Sequence, residues 1–162
     1  MYPRLLVLIA LIGAMLAIPD RAIPADFGHW PYERLFKESD VVLIGTYEET
    51  KDADEIYNVP DSDIKVRIVK SKLKSDQVLK GEFKGDSIEF RHWAPLRGHS
   101  VDGAPSPLRL AERKVYTQND KHIDVTLQYL VFLRRTKDGQ YEPVSGIIGA
   151  VFAIKELHRP AG

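Results

Sequence analysis

The chain has 162 residues, 23 Lys and Arg against 23 Asp and Glu, 44% hydrophobic residues and no cysteine. Zero net charge removes any broad electrostatic pull toward a polyanion. The missing cysteines exclude disulfides, a thiolate nucleophile, cysteine-based zinc and iron–sulfur sites, and a lipid-modified cysteine.

Met1–Arg4 is a short basic start, Leu5–Ile18 is apolar throughout, and Pro19–Ala25 is rich in breakers and ends on a small residue. That order is the pattern of a secretory leader. A membrane-spanning helix needs about 20 apolar residues, more than this stretch offers, and no later segment is apolar enough to span. The expectation is a cleaved leader over 1–25, a mature N-terminus at Asp26 and an extracytoplasmic (periplasmic or secreted) place of action. Removing Arg4, Arg21 and Asp20 with the leader leaves 21 basic and 22 acidic residues. What remains suits one domain over 26–157 with a tail over 158–162. A domain of that size buries roughly two-thirds of its unfolded surface and needs no covalent staple. Cysteine-free export favours a bacterial envelope over a eukaryotic secretion route.

Gly28-His29-Trp30-Pro31 opens the domain. Pro31 suits the first position of a short helix over 31–38, with Tyr32, Leu35 and Phe36 on one face. Val41–Thr46 reads as a strand apolar on both sides, and therefore central. Glu49–Asp63 is acidic, contains Pro60 and reads as an exposed loop. Ile64, Val66 and Ile68 alternate with Lys65 and Arg67, giving a half-buried strand with a basic outer face. Leu79–Asp86 is turn-rich, and Ile88 and Phe90 mark a third strand. Residues 93–121 hold three prolines and two glycines and read as one long loop, with a short helix near 107–114; loops of that length are often functional. Val125, Leu127, Tyr129, Val131 and Leu133 line one face of a long fourth strand, and Leu130 and Phe132 make its other face apolar. Lys137-Asp138-Gly139-Gln140 is a hairpin turn returning through Tyr141–Ser145, where Pro143 limits pairing. Val151–Ile154 is a last short strand or the start of a helix. Five or six strands, one short helix and no alternation of helix and strand point to a mainly β fold: a small barrel of the oligonucleotide/oligosaccharide-binding (OB-fold) kind. An immunoglobulin-like sandwich ranks second, weakened by the leading helix and the few strands.

Ser39-Asp40-Val41-Val42-Leu43-Ile44-Gly45-Thr46 resembles the first strand of the barrel shared by tissue inhibitors of metalloproteinases and netrin modules. Val78-Leu79-Lys80-Gly81 resembles that family's lysine-glycine turn. Tyr129–Leu133 followed by Asp138-Gly139-Gln140-Tyr141 resembles the late strand and hairpin of its bacterial relatives. The resemblance implies the OB-like fold and a binding role. Metalloprotease inhibition in this family uses an N-terminal cysteine, which this chain lacks.

The chemistry-bearing residues are few. His29, His92 and His99 form the one metal group worth weighing, for a metal-dependent enzyme or metal carrier, but their spacing matches no strong metal motif. Their plainer reading is a strand end for His92 and a solvated loop residue for His99. Cleavage one residue later would place His29 third from a free amine, an arrangement that holds Cu(II) or Ni(II) in a square plane. Ser145 lacks the flanking glycines of a nucleophile elbow, and Ser100 beside His99 has no triad spacing. Asp52, Asp54, Glu55, Asp61 and Asp63 could take Ca²⁺ weakly, but without a glycine-punctuated loop they read as solvated. Lys65, Arg67, Lys70, Lys72, Lys74, Lys80 and Lys84 form a basic stretch with few aromatics nearby, which reads as a solubilising strand face and not a nucleic-acid groove. Trp30, Trp93 and Tyr116 read either as a sugar or peptide groove or as core.

Together these readings give an exported, non-catalytic domain with no cofactor. It binds a protein or an envelope polysaccharide, and no nucleic acid, through the 93–121 loop. The residues expected to carry binding are His92, Trp93, Arg97, His99 and Arg109.

Overall fold

The computed structural model describes residues 30–60, 62–96, 105–118 and 121–159. The domain starts with helix α1 (Tyr32–Glu38), one residue after Pro31, whose carbonyl accepts from the Leu35 N–H at 3.1 Å. Two side chains finish the helix. Ser39 Oγ donates to the Leu35 carbonyl at 2.6 Å, and Lys80 Nζ reaches the carbonyls of Phe36 and Lys37. A cation there satisfies orphan carbonyls and opposes the negative end of the helix. Of the apolar face expected from spacing, only Leu35 is buried. Tyr32 and Phe36 stay 59% and 46% exposed, because the helix lies on its edge and leans one residue into the core.

Strands β1 (Val41–Asn58), β2 (Lys65–Lys80) and β3 (Ser87–Ala94) form an antiparallel meander. After β4 (Arg113–Gln118) comes the long β5 (Lys121–Arg135), then β6 (Tyr141–Pro143), helix α2 (Ala150–Ala153) and β7 (Ile154–Arg159). Val41–Thr46 pairs with Gln128–Leu133 of β5, β6 pairs with the end of β5, and β6 meets β3 in a parallel contact, Phe90 against Tyr141. The order β1-β2-β3-β6-β5 therefore returns to β1 as a ring of five strands. Strands β4 and β7 pair with other stretches of β5. The fold is mainly β with a short N-terminal helix, as the sequence predicts.

Period-two alternation fills the ring. Val41, Leu43, Leu73, Ile88, Phe90, Leu127, Tyr129, Val131 and Leu133 belong to one buried cluster. Each such side chain contributes about 1.5–3 kcal/mol relative to exposure. The opposite faces of β1 and β5 are also covered. Val42 and Phe132 pack with Trp30, Leu35, Val144 and Ala153, which explains why both strands are apolar on both sides. A third cluster of Val59, Val66, Trp93 and Ile148 closes the far end of the β1–β2 hairpin.

Four expectations change. Glu49–Asp63 is not a loop: β1 runs on to Asn58 and pairs with β2 to its start at Lys65. Charged residues are held in strand there by cross-strand ion pairs: Arg67 with Asp52 at 2.6 Å, Lys72 with Glu48 at 3.2 Å, and Arg91 with Glu55. The 93–121 segment is not one long loop, since Trp93 and Ala94 belong to β3 and 113–118 form β4. No helix occupies 107–112; Leu108, Leu110 and Ala111 pack against the ring cluster in an irregular path. The Ala111 N–H donates to Tyr129 Oη at 2.9 Å, and that hydroxyl donates back to the Ala111 carbonyl at 3.0 Å. Val151–Ile154 holds the end of α2 and the start of β7, and β7 extends through His158 and Arg159, which the sequence reading assigns to the tail.

Gly81 and Gly139 both have φ near +80°, where L side chains are strained. A Cβ on Gly139 would meet open space, whereas one on Gly81 would sit 2.0 Å from the Asp40 carbonyl oxygen. Gly139→Ala is expected to cost about 1–2 kcal/mol from backbone strain alone. Gly81→Ala is expected to cost clearly more, because the α1–β1 junction must also shift. Urea unfolding of the two variants side by side checks this, and equal losses would contradict it.

Candidate functional site

Of the residues expected to bind ligand, His92 and Trp93 sit on β3 inside the domain, both 2% exposed. Trp93 Nε1 donates to the Ile148 carbonyl at 2.9 Å, tying β3 to the segment before α2. Arg97 and His99 lie outside the described residues, as does His29, so the proposed trio of imidazoles is represented only by His92. Among the described residues no group of three or more His, Asp and Glu is arranged to hold a metal. Trp30 is buried at 4% exposure, with the Arg34 guanidinium 3.7 Å above its ring centre. The two tryptophans thus serve as packing.

His92 joins a polar chain across three adjacent strands. Its Nδ1 lies 3.1 Å from the Trp93 carbonyl, which only accepts, so Nδ1 carries the proton. Nε2 is then the acceptor for the Ser71 hydroxyl at 2.8 Å. Ser71 Oγ is in turn 2.7 Å from Thr50 Oγ1, and the order of the chain makes Thr50 the donor. Both imidazole nitrogens are therefore engaged, and His92 is fixed as a neutral structural group with no lone pair left for a metal. Burial lowers its pKa from 6.5 to about 4, against an upward pull from the Trp93 carbonyl.

Three cations of the basic stretch are paired where they lie. Besides the pairs of Arg67 and Lys72, Lys70 Nζ is 3.4 Å from Glu89. The Arg67 guanidinium, with help from the Asp54 N–H, holds the Asp52 carboxyl below its usual range. Acidic and basic segments that look separate in sequence are two sides of one hairpin.

Three concave surfaces stand out among the described residues, the smallest a cleft of about 290 Å³ between β3 and the Gly139 turn, with Phe83, Glu89, Arg91 and Tyr141 in its lining. The largest, about 800 Å³, is a shallow groove between α1 and the outer face of β1, β2 and β5, walled by Tyr32, Phe36, Val42, Leu79, Leu130 and Phe132, with Glu33, Lys37 and Lys80 at its edge. Six large apolar side chains are exposed among the described residues, and Tyr32, Phe36 and Leu79 of this groove are half of them. An exposed apolar patch inside a polar rim is the usual mark of an interaction surface. Helix α1 shapes one wall, the cap by Lys80 fixes its end, and the Lys80-Gly81 turn places Leu79 opposite. The second surface is a cleft of about 440 Å³ where the 105–109 segment crosses β7, with Leu108, Val151 and Ile154 as apolar lining and Arg109 and Glu156 as polar groups. Arg109 is the one expected binding residue the structure places on a concave surface. The groove escaped sequence reading because its walls are spread over 32–36, 42, 79 and 130–132. The only hint was that Tyr32 and Phe36 sit four apart on a very short helix.

Comparison with protein-family models gives no match, and comparison with curated proteins gives none either.

The lowered pKa of His92 sets a pH dependence. The unfolded chain takes up a proton near pH 6.5 while the folded protein refuses it until about 4. Stability is therefore lost as pH falls through that window. Between pH 7 and pH 5 the loss from this group is about 2 kcal/mol. It shows as the difference in pH slope between the parent and His92→Gln in urea unfolding, and identical slopes would contradict it.

Proposed function

We propose that the chain is an exported, non-catalytic binding domain whose main docking face is the apolar groove between α1 and the sheet. The observation that carries this reading is the gathering of Tyr32, Phe36 and Leu79, exposed, around one concave surface. Export is supported by the basic–apolar–breaker order of residues 1–25. An OB-like barrel is supported by the ring order β1-β2-β3-β6-β5, three meandering strands closed by two that return. Such barrels bind through the face of their second and third strands. Here that face is taken up by the ion pairs of Lys70, Lys72 and Arg91, which favours the groove.

The likeness to the inhibitor and netrin barrel is supported by how its pieces meet. The Lys80-Gly81 turn lies against Asp40 at the head of β1, and Lys80 caps α1. The family's cysteine-based inhibition has no counterpart in a chain without cysteine, so the likeness bears on fold and binding alone. The 93–121 connection enters the reading through the Arg109 cleft, as a smaller second surface.

A photoreactive amino acid at position 36 or 79 tests the docking role in cells that export the protein. Adducts are expected from both positions and not from position 89, on β3 and outside the groove. Phe36→Ser and Leu79→Ser should leave stability within about 1 kcal/mol of the parent, because both side chains are already half in water. Absent adducts, or equal yields at position 89, would refute the docking role.

A further inference from the structure

We propose that the α1 groove seats the processed chain on an anionic lipid surface. This rests on the docking role of the groove and names its partner. The patch has the build of a membrane-interface contact. Each exposed ring carries an amine beside it: Lys80 Nζ is 5.1 Å from the Phe36 ring centre and Lys155 Nζ is 5.9 Å from that of Tyr32. Lys37 stands on the same wall, and Glu33 is the carboxylate among the described lining residues. Amines beside exposed rings suit a headgroup layer. Tyrosine and phenylalanine suit the boundary between headgroups and acyl chains. Among the lining residues Lys37 and Lys80 stand against Glu33, with Lys155 beside Tyr32, and this excess of amines favours a surface of uniform negative charge.

The test uses the chain from Asp26 onward, which carries every described element, and sedimenting vesicles of phosphatidylcholine with or without phosphatidylglycerol. The protein is expected to pellet with the phosphatidylglycerol vesicles, less so at high salt. Lys37→Glu and Lys155→Glu should each weaken partitioning about five-fold or more, and Phe36→Ser with Leu79→Ser should abolish it. Lys80 is left in place because it caps α1, and the charge reversals, on exposed or half-exposed side chains, keep the test valid if the double serine variant unfolds. No pelleting with phosphatidylglycerol vesicles, equal pelleting with phosphatidylcholine alone, or reversals that pellet like the parent would overturn the lipid proposal. Protein adducts from positions 36 and 79 with no vesicle binding would sink the lipid partner and leave the docking role standing. Failure of both measurements would remove both.

Discussion

The fold depends on one stretch, Val41–Thr46, being hydrogen-bonded along both edges. On one side it pairs with the end of β2, on the other with β5, and only that second pairing turns a meander into a ring. Where a strand paired on both edges is also covered on both faces it must be apolar, and Val41, Val42 and Leu43 are accordingly all buried. The junction just before it is equally constrained. The Asp40 N–H donates to the Leu133 carbonyl at 2.9 Å, and its carboxylate accepts from the Arg135 N–H at 2.7 Å. Gly81 packs so closely on the Asp40 carbonyl that a side chain has no room. Helix, first strand, turn and long fifth strand are thus locked at one corner, and the groove is the outer surface of that corner.

Charge is used locally to hold strand structure. Glutamate, aspartate and lysine are poor strand formers, yet β1 and β2 remain extended where they dominate because opposite signs face each other across the ladder. These pairs are largely solvated and individually worth little. Their effect is on register, together with the bulge at Ala53-Asp54 that lets Asp52 face Val69 and Glu55 face Ile68. The result is a β2–β3 face on which Arg67, Lys70, Lys72 and Arg91 are already paired, in contrast to the apolar corner.

Helix α1 explains why that corner is open. Seven residues give one helical face too short to bury three large side chains. Leu35 takes the core position, and Tyr32 and Phe36 straddle the groove. The polar interior follows the opposite logic. Ser71 and His92 are buried but fully engaged along the Thr50–Ser71–His92–Trp93 chain, so their burial costs little and leaves no reactive group.

Sequence alone determined the parts governed by neighbours along the chain. These are the short helix after Pro31, the doubly apolar strands at Val41 and Val125–Leu133, the Gly139 turn, a return strand from Tyr141 whose pairing Pro143 limits, and the mainly β character. Each rests on a two- or three-to-four-residue period, or on a backbone restriction of proline or glycine. Tertiary structure alone decided the parts governed by partners far away. Glu49–Asn58 is strand because Arg67, Lys72 and Arg91 come to meet it. His92 and Trp93 are core because β3 lies between β2 and the segment carrying Ile148. The groove exists because residues near 32, 79 and 130 share one corner. A local pattern cannot encode those meetings, since the free energy that fixes them is released only when the ring closes.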